Sequence, residues 1–497
     1  MLAYIFFEKN IFVYNKMDLL LNNKVEDRLS IALTLPHELI LDICSQNTEL
    51  NNTICINEEY WKLRYIKNYG TPTILPVNWK ELYLNSNVLM SFGSNKFGQL
   101  GVGDMVFRSI PTKIPNINPI YTTCGSYHNL IIDTNNDVWC FGLNNKGQLG
   151  VGDTINKNVP TKIPNLKAIH ASAGKYHSLI VDMNNNVWCF GSNNRGQLGL
   201  GNTVGIKNIP TQIPNIKALY VACGEESSYI IDMDNILWKF GTSIKTKDSD
   251  IRYISKYTPT KVFNIKVKYA SSKLYHVLVI DTNNNVWSFG NNQYGQLGIG
   301  NNISQGQPQQ IPNIKAKHIA AGSLHSLILD NNGNIWSFGR NTHGQLGLGL
   351  NPDQDIYKPT MIPNIKAKYI SAGTIHSIII DDNDKIWSFG LNVHGSLGLG
   401  DTQDRNIPVK IPEGTFKYVS SGSTHNLVIF EGGFLSFDQI QSLFINVEVT
   451  QFLFEPQMQI MYKLQQGIYV ATFVLENNKK KYGYVRYDSV NNKIQHP

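Results

Sequence analysis

The strongest constraint on this chain is an internal repeat. The dipeptide Phe-Gly recurs at intervals of 49 to 51 residues, at Phe92, Phe141, Phe190, Phe240, Phe289, Phe338 and Phe389. In step with it, a Gly-x-x-His marker recurs with the histidines His128, His177, His325, His376 and His425. Self-similarity at a period of about 20–50 residues is the signature of solenoids, propellers and arrays. The chain is therefore expected to fold as one of these repeat architectures.

Each repeat reads as four short strands. In residues 159–190, a short strand flanked by prolines is followed by three apolar runs, and no helical period appears. Asn184 and its neighbours separate the last two runs, and asparagine tolerates the positive φ that a tight hairpin needs. Equivalent turns lie at Asn135-Asn136, Asn283-Asn284, Asn332-Gly333 and Asn383-Asp384. Seven four-stranded units predict a mainly β chain built around a seven-bladed β-propeller.

The two ends of the repeat array are complementary. The first Phe-Gly copy, residues 88–93, lacks the strands that precede it elsewhere. The last Gly-x-x-His copy ends at Phe430 without a following Phe-Gly strand. An open solenoid would need polar capping units, and none is evident in the sequence. Residues 88–92 are therefore predicted to complete the last blade and to close the ring.

The glycine-rich segments carry a family resemblance. Residues 187–201 read VWCFGSNNRGQLGLG, and residues 286–300 read VWSFGNNQYGQLGIG. These segments resemble the regulator-of-chromosome-condensation repeat family, whose members form seven-bladed propellers, and the resemblance covers residues 88–431. Six copies carry the glycine box Gly-x-Leu-Gly-x-Gly, at residues 98–103, 147–152, 196–201, 295–300, 344–349 and 395–400.

Features that recur in nearly every blade are expected to be architectural. The glycines allow positive φ and close approach between blades. The histidines are expected to make a hydrogen bond within each blade, and the tryptophans to pack as large apolar side chains. A metal site needs several ligands on one ion, whereas these histidines are dispersed around a ring. No catalytic motif is found, so we expect a protein that is not an enzyme, with no catalytic residues, metal or cofactor.

One stretch of the array, residues 225–273, departs from the repeat. No glycine box follows Phe240, Ser227 replaces the histidine, and Lys273 replaces the marker glycine. Two interpretations stay open. The stretch is either one redundant blade that has decayed neutrally, or a binding loop.

Residues 34–87 differ in character from the repeats. Pro36 suits the first position of a helix, and the apolar residues after it have helical spacing. With the Trp-containing elements downstream, this segment resembles an F-box, which docks on the adaptor subunit of cullin-type ubiquitin ligases. The resemblance assigns the adaptor contact to Leu35, Pro36, Leu39, Ile40 and Ile43. The alternative is a small helical cap under the propeller.

The remaining segments and the composition bound the partners. Residues 1–33 form an N-terminal extension, and residues 432–497 are expected to form a small β-rich appendage, with strand-like runs at residues 447–454, 469–475 and 482–487. The net charge of +7 is small for 497 residues and argues against a nucleic-acid partner. No apolar run is long enough to span a membrane. The six cysteines show no disulfide or C-x-x-C pattern, which indicates a reducing, intracellular location in the cytoplasm or nucleus.

Three functions fit this sequence. The first is a protein-protein interaction module that recruits its target to a cullin-type ubiquitin ligase through the F-box-like segment. The second is a guanine-nucleotide exchange factor or other regulator of a small GTPase, as in one branch of the resembled family. That branch uses a β-hairpin wedge that projects from one blade, and the regular repeat intervals leave no room for an inserted wedge. The third is a non-catalytic scaffold.

The loops after the Phe-Gly strands contain two positions that vary freely between blades. Loops on a rigid scaffold are where binding commonly occurs, and aromatic and basic residues are common in interface hot spots. The alternative is that these loops vary because nothing constrains them. The predicted partner face is centred on Phe97, Lys146, Arg195, Tyr294, His343 and His394.

Overall fold

The computed structural model describes residues 21, 25–35, 40, 43–45, 47–69, 86–201, 205–247, 250–262, 265–350, 354–411, 414–430, 458–464, 468–474, 480–488 and 493–495. The chain divides into two compact units, Met1–Ile440 and Gln441–Pro497. Within the described ranges, no helix is both long enough and apolar enough to cross a membrane.

The N-terminal part of the first unit is helical. Its helices are α1 (Val25–Thr34), α2 (Thr48–Leu50) and α3 (Glu58–Tyr69), and a π-helical turn, Asn51–Cys55, lies between the last two. The helical segment thus begins within the stretch that the sequence assigns to an extension. Tyr65 of α3 hydrogen-bonds to Ser86 and Asn118, which joins the helices to the start of the propeller.

A small core holds these helices together. Tyr60 and Trp61 of α3 are fully buried, and the Trp61 indole N–H donates to the Cys55 carbonyl at 2.9 Å. Because a buried polar group needs partners, the guanidinium of Arg64 donates to the Leu35 carbonyl at 2.8 Å, beside the end of α1. The helices therefore share one apolar interior.

Two cysteines of this helical part are bonded to each other. Cys44 and Cys55 form a disulfide across a sequence separation of 11 residues. The expectation that the chain has no disulfide is wrong for this pair, because the fold of the helices brings together two cysteines whose spacing carries no recognisable pattern. Cys124, Cys140, Cys189 and Cys223 are free and buried in the propeller.

The propeller occupies the middle of the chain. Its strands are β1 (Val88–Gly93), β2 (Arg108–Ile114), β3 (Pro119–Cys124), β4 (His128–Asp133), β5 (Asp137–Gly142), β6 (Lys157–Ala173), β7 (His177–Asp182), β8 (Asn186–Ser192), β9 (Ile206–Cys223), β10 (Ser227–Asp232), β11 (Leu237–Lys247), β12 (Asp250–Lys261), β13 (Val267–Ser272), β14 (His276–Asp281), β15 (Asn285–Gly290), β16 (Gln305–Ala321), β17 (His325–Asp330), β18 (Ile335–Gly339), β19 (Ile356–Met361), β20 (Ala367–Ala372), β21 (His376–Asp381), β22 (Ile386–Gly390), β23 (Arg405–Lys410), β24 (Phe416–Ser421) and β25 (His425–Phe430).

Blade 1 combines both ends of the array. β1 pairs antiparallel with β25, from Val88 opposite Phe430 to Gly93 opposite His425, in a sheet ordered β2-β1-β25-β24. The predicted closure of the ring by residues 88–92 is confirmed. Blades 2 to 7 follow in chain order, and the long strands β6, β9 and β16 each run from the outer edge of one blade into the inner edge of the next.

The apolar core lies between neighbouring blades. Phe190 of blade 3, for example, packs in one buried cluster with Leu130 and Ile163 of blade 2. The second strand of a blade, such as β4, is buried along its whole length. A blade therefore has no complete core of its own, and each depends on the next around the ring.

The two ends of the propeller are built differently. The loops after the Phe-Gly strands lie at one end, which we call the loop face, together with the loops between the first and second strands of each blade. The Asn-containing turns between the second and third strands lie at the other end, the turn face. As predicted, the backbone there is left-handed, with φ of 60° at Asn136, 67° at Asn284 and 63° at Asp384.

The second unit contains an antiparallel meander of four strands. They are β26 (Met458–Leu464), β27 (Ile468–Val474), β28 (Lys480–Asp488) and β29 (Lys493–Gln495). This agrees with the β-rich appendage expected from the sequence. The first strand-like run expected there, residues 447–454, lies outside the described residues.

Candidate interaction face

Buried histidines link each blade to the next. In blade 2, the Nε2–H of His128 donates to Ser178 of blade 3 at 2.9 Å, and Ser178 donates to the Gln148 carbonyl at 2.8 Å. His425 donates to Asn129 at 2.8 Å, which joins the last repeat to the first. The hydrogen bond is therefore made between blades, and the expectation that it lies within each blade is wrong. A partner on the next blade is a tertiary contact that no local sequence pattern reveals.

Burial keeps these histidines uncharged. It lowers the pKa of His128 and His425 to about 3 and that of His376 to about 4, because an imidazolium would lose its hydration without gaining a counter-charge. Neutral imidazoles dispersed around a ring serve as structural donors between blades.

The tryptophans combine packing with a hydrogen bond. Trp188 is half-buried, and its indole N–H donates to the carboxylate of Asp182 at 2.8 Å. The same Asp182 carboxylate accepts the backbone N–H of Asn184 at the turn. Sequence reasoning identified the packing but missed this partner, although an Asp six residues before each of these Trp is a signal readable from the sequence.

The glycine boxes pack blade against blade. A Cβ at Gly98, which has φ of 78°, would lie 2.6 Å from Cα of Asn158 in the next blade. A Cβ at Gly101 would lie 2.9 Å from the ring of Phe141. The predicted close approach between blades is thus confirmed.

A closed ring of seven aromatic residues lines the central channel. Neighbouring ring centroids lie 4.1 to 5.4 Å apart, and the last pair, Tyr418 and Tyr121, completes the circle. This set was missed from the sequence, although its members recur at the same interval as Phe-Gly. They are Tyr121, His170, Tyr220, Tyr269, His318, Tyr369 and Tyr418.

The six predicted partner-face residues occupy equivalent places on the loop face. In five of them the backbone N–H donates to the glutamine side chain two residues later, for example Arg195 to Gln197 at 2.8 Å. The first five side chains thus start from a common backbone geometry and differ only in chemistry. Arg195 and His394 are exposed, and the other four, Phe97, Lys146, Tyr294 and His343, are half-buried.

Five of the six side chains reach the neighbouring blade. The rings of Phe97 and Tyr127 lie 5.4 Å apart edge to face, and the guanidinium of Arg340 lies 4.6 Å from the Tyr294 ring. The others are Arg195 with Glu226 at 3.7 Å, His343 with Asp404 at 2.9 Å, and His394 with Phe107 at 5.9 Å between ring centroids. The structure brings the predicted residues together along one rim, across the blade junctions.

The departures of blade 4 and its neighbour lie on this same face. Glu225, in the loop before β10, accepts from the Lys175 ammonium at 2.9 Å. Lys273 stands where other blades have glycine, and its Nζ donates to the Ser421 carbonyl of blade 1 at 2.7 Å. Burial lowers the pKa of Lys273 to about 8. Since blades 5 and 1 are not neighbours, this side chain reaches across the end of the channel.

A projecting β-hairpin replaces the glycine box of blade 4. β11 and β12 remain paired beyond the blade, from Thr242 opposite Ser255 to Lys247 opposite Asp250. The ring of Tyr253, which is exposed, lies 4.9 Å from that of Tyr275 on blade 5. The regular repeat interval leaves no room for an inserted segment, as expected, but the residues of the missing loop form this hairpin without adding length.

We call the hydrogen bond from the buried histidine of one blade to the next blade the histidine latch. In blade 4 this latch is missing, and other residues compensate for it. In blade 4, Ser227 occupies the position of the histidine. In blade 5, the buried Val277 occupies the position of the residue that would accept its hydrogen bond. Tyr229 is buried in one apolar cluster with Val277, and its hydroxyl lies near Ser227 and Ser272 of blade 5. The donor position (Ser227), the acceptor position (Val277) and the residue that packs beside them (Tyr229) have thus changed together. This favours a maintained alternative contact over neutral decay.

Three of the five predicted adaptor-binding residues are described, and they lie in the helical part. Ile40 and Ile43 are fully buried in its core, and Leu35 is half-buried against it. Pro36 and Leu39 lie outside the described residues. Among the residues of this part whose burial is described, the exposed large apolar side chains are Ile56 at 60% and Leu63 at 37%. Contact of the segment with an adaptor stays a prediction.

Comparison with protein families identifies the repeat. The model of the regulator of chromosome condensation (RCC1) repeat matches residues 88–132, 135–181, 184–231, 283–329, 332–380 and 383–429, which together make up more than half of the chain. A second RCC1 repeat model matches residues 168–197, 267–296 and 316–345. Neither model matches the hairpin of blade 4. No curated protein matches this chain.

Solved propellers share the fold. Human WBSCR16 is 20% identical with a TM-score of 0.63, over 70% of this chain and 99% of that one. Prp20p from Saccharomyces cerevisiae, studied for its binding to Gsp1p and histones, is 22% identical with a TM-score of 0.63, over 72% of this chain and 94% of that one. From its repeats and its fold together, the chain belongs to the RCC1 repeat family.

Proposed function

We propose that this protein is an interaction module that holds a protein partner on the loop face. The observation that carries the proposal is that the variable features of the propeller lie together at one end of the ring. The varied positions of six blades and the departures around blade 4 occur at one end of the ring, while the histidine latches and glycine boxes between them repeat with the same contacts. Rigid scaffolds that present variable loops commonly bind partners there.

The test removes two of these side chains. Arg195→Ala combined with Tyr294→Ala should weaken partner capture at least about tenfold, since Arg and Tyr are hot-spot types. The readout is quantitative mass spectrometry of proteins that copurify with wild type and variant, alongside thermal melting. Gln310→Ala with Lys261→Ala, two exposed residues of outer strands, is the matched control. Equal capture by both variants would contradict the proposal.

Delivery of the partner to a cullin-type ubiquitin ligase is the finer form of this proposal. It is supported by the F-box-like sequence and by the apolar Ile56 and Leu63, which lie on the surface of the helical part. Ile56→Asp with Leu63→Asp should abolish binding to a purified adaptor subunit, whereas Lys62→Ala should not. If wild-type protein does not bind the adaptor, the ligase role is wrong while the loop-face proposal stands.

Regulation of a small GTPase is a second candidate, favoured by the hairpin of blade 4. In one branch of the family such a hairpin acts as the exchange wedge, and this chain projects one on its loop face. Prp20p, which binds Gsp1p, shares the fold. Both candidates imply an intracellular location, in the cytoplasm or nucleus.

The hairpin can be removed without changing chain length. In the test variant, residues 192–205 of blade 3, the matching glycine-box loop, replace residues 242–255. We expect wild type to accelerate release of fluorescent GDP from one member of a panel of small GTPases, and the variant not to. No acceleration of any member by wild type would reject this candidate.

A further inference from the structure

A second ring of seven side chains surrounds the channel on the turn face. Each residue immediately precedes a member of the aromatic ring, so the order around the circle follows from the contacts of that ring. We call this set the mouth ring. Its members are Ile120, Ile169, Leu219, Lys268, Lys317, Lys368 and Lys417.

A β-bulge in each innermost strand exposes the mouth ring. In β3 the pairing shifts between Pro119 and Tyr121, and the same shift recurs in β20 between Ala367 and Tyr369. A bulge places two residues opposite one and re-aims a side chain. Position 120 is consequently exposed although it lies between the buried Pro119 and the half-buried Tyr121.

The mouth ring is divided into two arcs. Blades 2, 3 and 4 contribute aliphatic side chains, with exposed fractions of 49% for Ile120, 45% for Ile169 and 42% for Leu219. Blades 5, 6, 7 and 1 contribute lysines, all exposed. The three aliphatic residues are consecutive around the ring, and so are the four lysines. The surface therefore has one continuous apolar side and one continuous basic side.

Two lysines of the arc, Lys268 and Lys317, have no counter-charge among the described residues. Lys368 pairs with Asp384, whereas Lys268 bonds the neutral amide oxygen of Asn284. Lys317 makes no hydrogen bond or ion pair within the described part of the chain. Lys167, whose charge is paired with Asp137, donates to a carbonyl of a turn on the same face. Four further exposed lysines that donate to turn carbonyls add to the positive field: Lys217, Lys266, Lys315 and Lys366.

We propose that the mouth ring docks an acidic protein segment that carries aliphatic or aromatic side chains beside its carboxylates. The lysine arc supplies charge complementarity, which steers and orients such a segment. The apolar arc supplies area that a nucleic-acid backbone would leave uncovered, which favours a peptide over a polyanion. This site lies opposite the loop face and does not depend on the function proposed for it.

The test starts from a random peptide library displayed on phage and selected on the full-length protein. Selected sequences should combine Asp or Glu with Leu, Ile or Phe. Fluorescence polarisation of a selected peptide then compares variants. Lys268→Glu with Lys317→Glu should weaken binding at least about tenfold, and Ile120→Ser with Ile169→Ser severalfold. Binding should also weaken as salt is raised.

Matched controls distinguish binding at this site from nonspecific electrostatic or hydrophobic binding elsewhere on the surface. Lys261→Glu and Ile209→Ser change exposed residues of outer strands and should leave the affinity unchanged, as should Arg195→Ala with Tyr294→Ala on the loop face. If the double lysine variant does not fold, Lys317→Gln alone provides the measurement, because that side chain has no partner to lose among the described residues.

Several results would overturn the proposal. Selection of no peptide, selection of peptides without acidic residues, or unchanged affinity in the lysine variants would each do so. A short DNA duplex serves as competitor. If it binds through the lysine arc and the apolar-arc variant leaves both ligands unaffected, the mouth ring is a nucleic-acid surface and the peptide proposal is wrong.

Discussion

Blade 4 and the other blades of this propeller solve the same packing problem in different ways. In six blades, a buried histidine makes a hydrogen bond with a residue of the next blade. At the junction of blades 4 and 5, Ser227 and Val277 replace the histidine and its acceptor, and the buried Tyr229 packs with Val277. The ring geometry survives the change. A junction therefore needs a filled interface, not one particular side chain.

The comparison also separates architecture from function by position. Blade 4 keeps Trp238, which donates to Asp232 at 2.7 Å on the turn face. It loses the glycine box on the loop face, where β11 and β12 project.

The largest effect should follow loss of β1, since it completes a blade that all the others depend on. Deleting residues 1–93 removes the strand paired with β25 and the buried Leu89 and Phe92, each worth roughly 2–5 kcal/mol. We expect no cooperative thermal transition by circular dichroism. Deleting residues 1–85 retains β1 and should preserve a transition, and an unchanged melting temperature in the longer deletion would refute ring closure.

Mild acid should destabilise the histidine-latched junctions. Below about pH 6.5 the unfolded chain binds protons, whereas the folded His128 and His425 do not until about pH 3. The folded pKa is depressed for a base, so stability is lost as the pH falls below the unfolded value, by about 1.4 kcal/mol per histidine per pH unit.

The measurement is the free energy of unfolding in urea between about pH 7 and pH 4.5, a range that spans the unfolded histidine pKa. Replacing the buried His128 by Gln removes one such group and should reduce the slope by about 1.4 kcal/mol per pH unit. A flat profile would mean that the latches do not hold neutral imidazoles.

Two glycines of one glycine box allow the stability cost of close approach between blades to be measured separately from that of backbone strain. Gly147 and Gly152 have φ of 69° and 91°, but only at Gly147 would a Cβ meet backbone, 2.7 Å from Cα of Asn208. Gly152→Ala should cost about 1–3 kcal/mol for its conformation alone. Gly147→Ala should cost clearly more, since it also forces the blades apart. Equal losses in urea unfolding would show that the box serves only its turn.

The smallest effect tests whether blade 4 is compensated. Ser227→His alone places an imidazole beside Tyr229 and opposite Val277, which cannot accept a hydrogen bond, and should cost about 1–3 kcal/mol. Adding Tyr229→Leu and Val277→Ser recreates the residues of a regular junction and should recover most of that loss. A triple variant no more stable than the single one would favour decay over compensation.

Much of the propeller was predictable because its determinants are local and repeated. The Phe-Gly interval, the Asn turns and the complementary ends predicted the blades, their left-handed turns and the pairing of β1 with β25. The aromatic ring was equally readable, since Tyr121 and its equivalents keep the same interval, but periodicity alone does not say which of several recurring positions faces the channel.

The candidate site was predictable in place but not in its contacts. The positions around Arg195 and Tyr294 were found from their variation, whereas their partners Glu226 and Arg340 come from the adjacent blade. The hairpin of blade 4 was missed because a strand extension needs no extra residues. The burial of Ile40 and Ile43 was also missed, because helical spacing identifies an apolar face without saying what covers it.

What the sequence by itself determined is the repeat, and with it the number of blades, their strands and their turns, because those depend on residues close together in the chain. Only the tertiary structure decided that His128 reaches the next blade, that Cys44 meets Cys55, and that Lys273 spans the channel end. These contacts depend on how the blades and helices are brought together in space, and spacing along the chain carries no record of that.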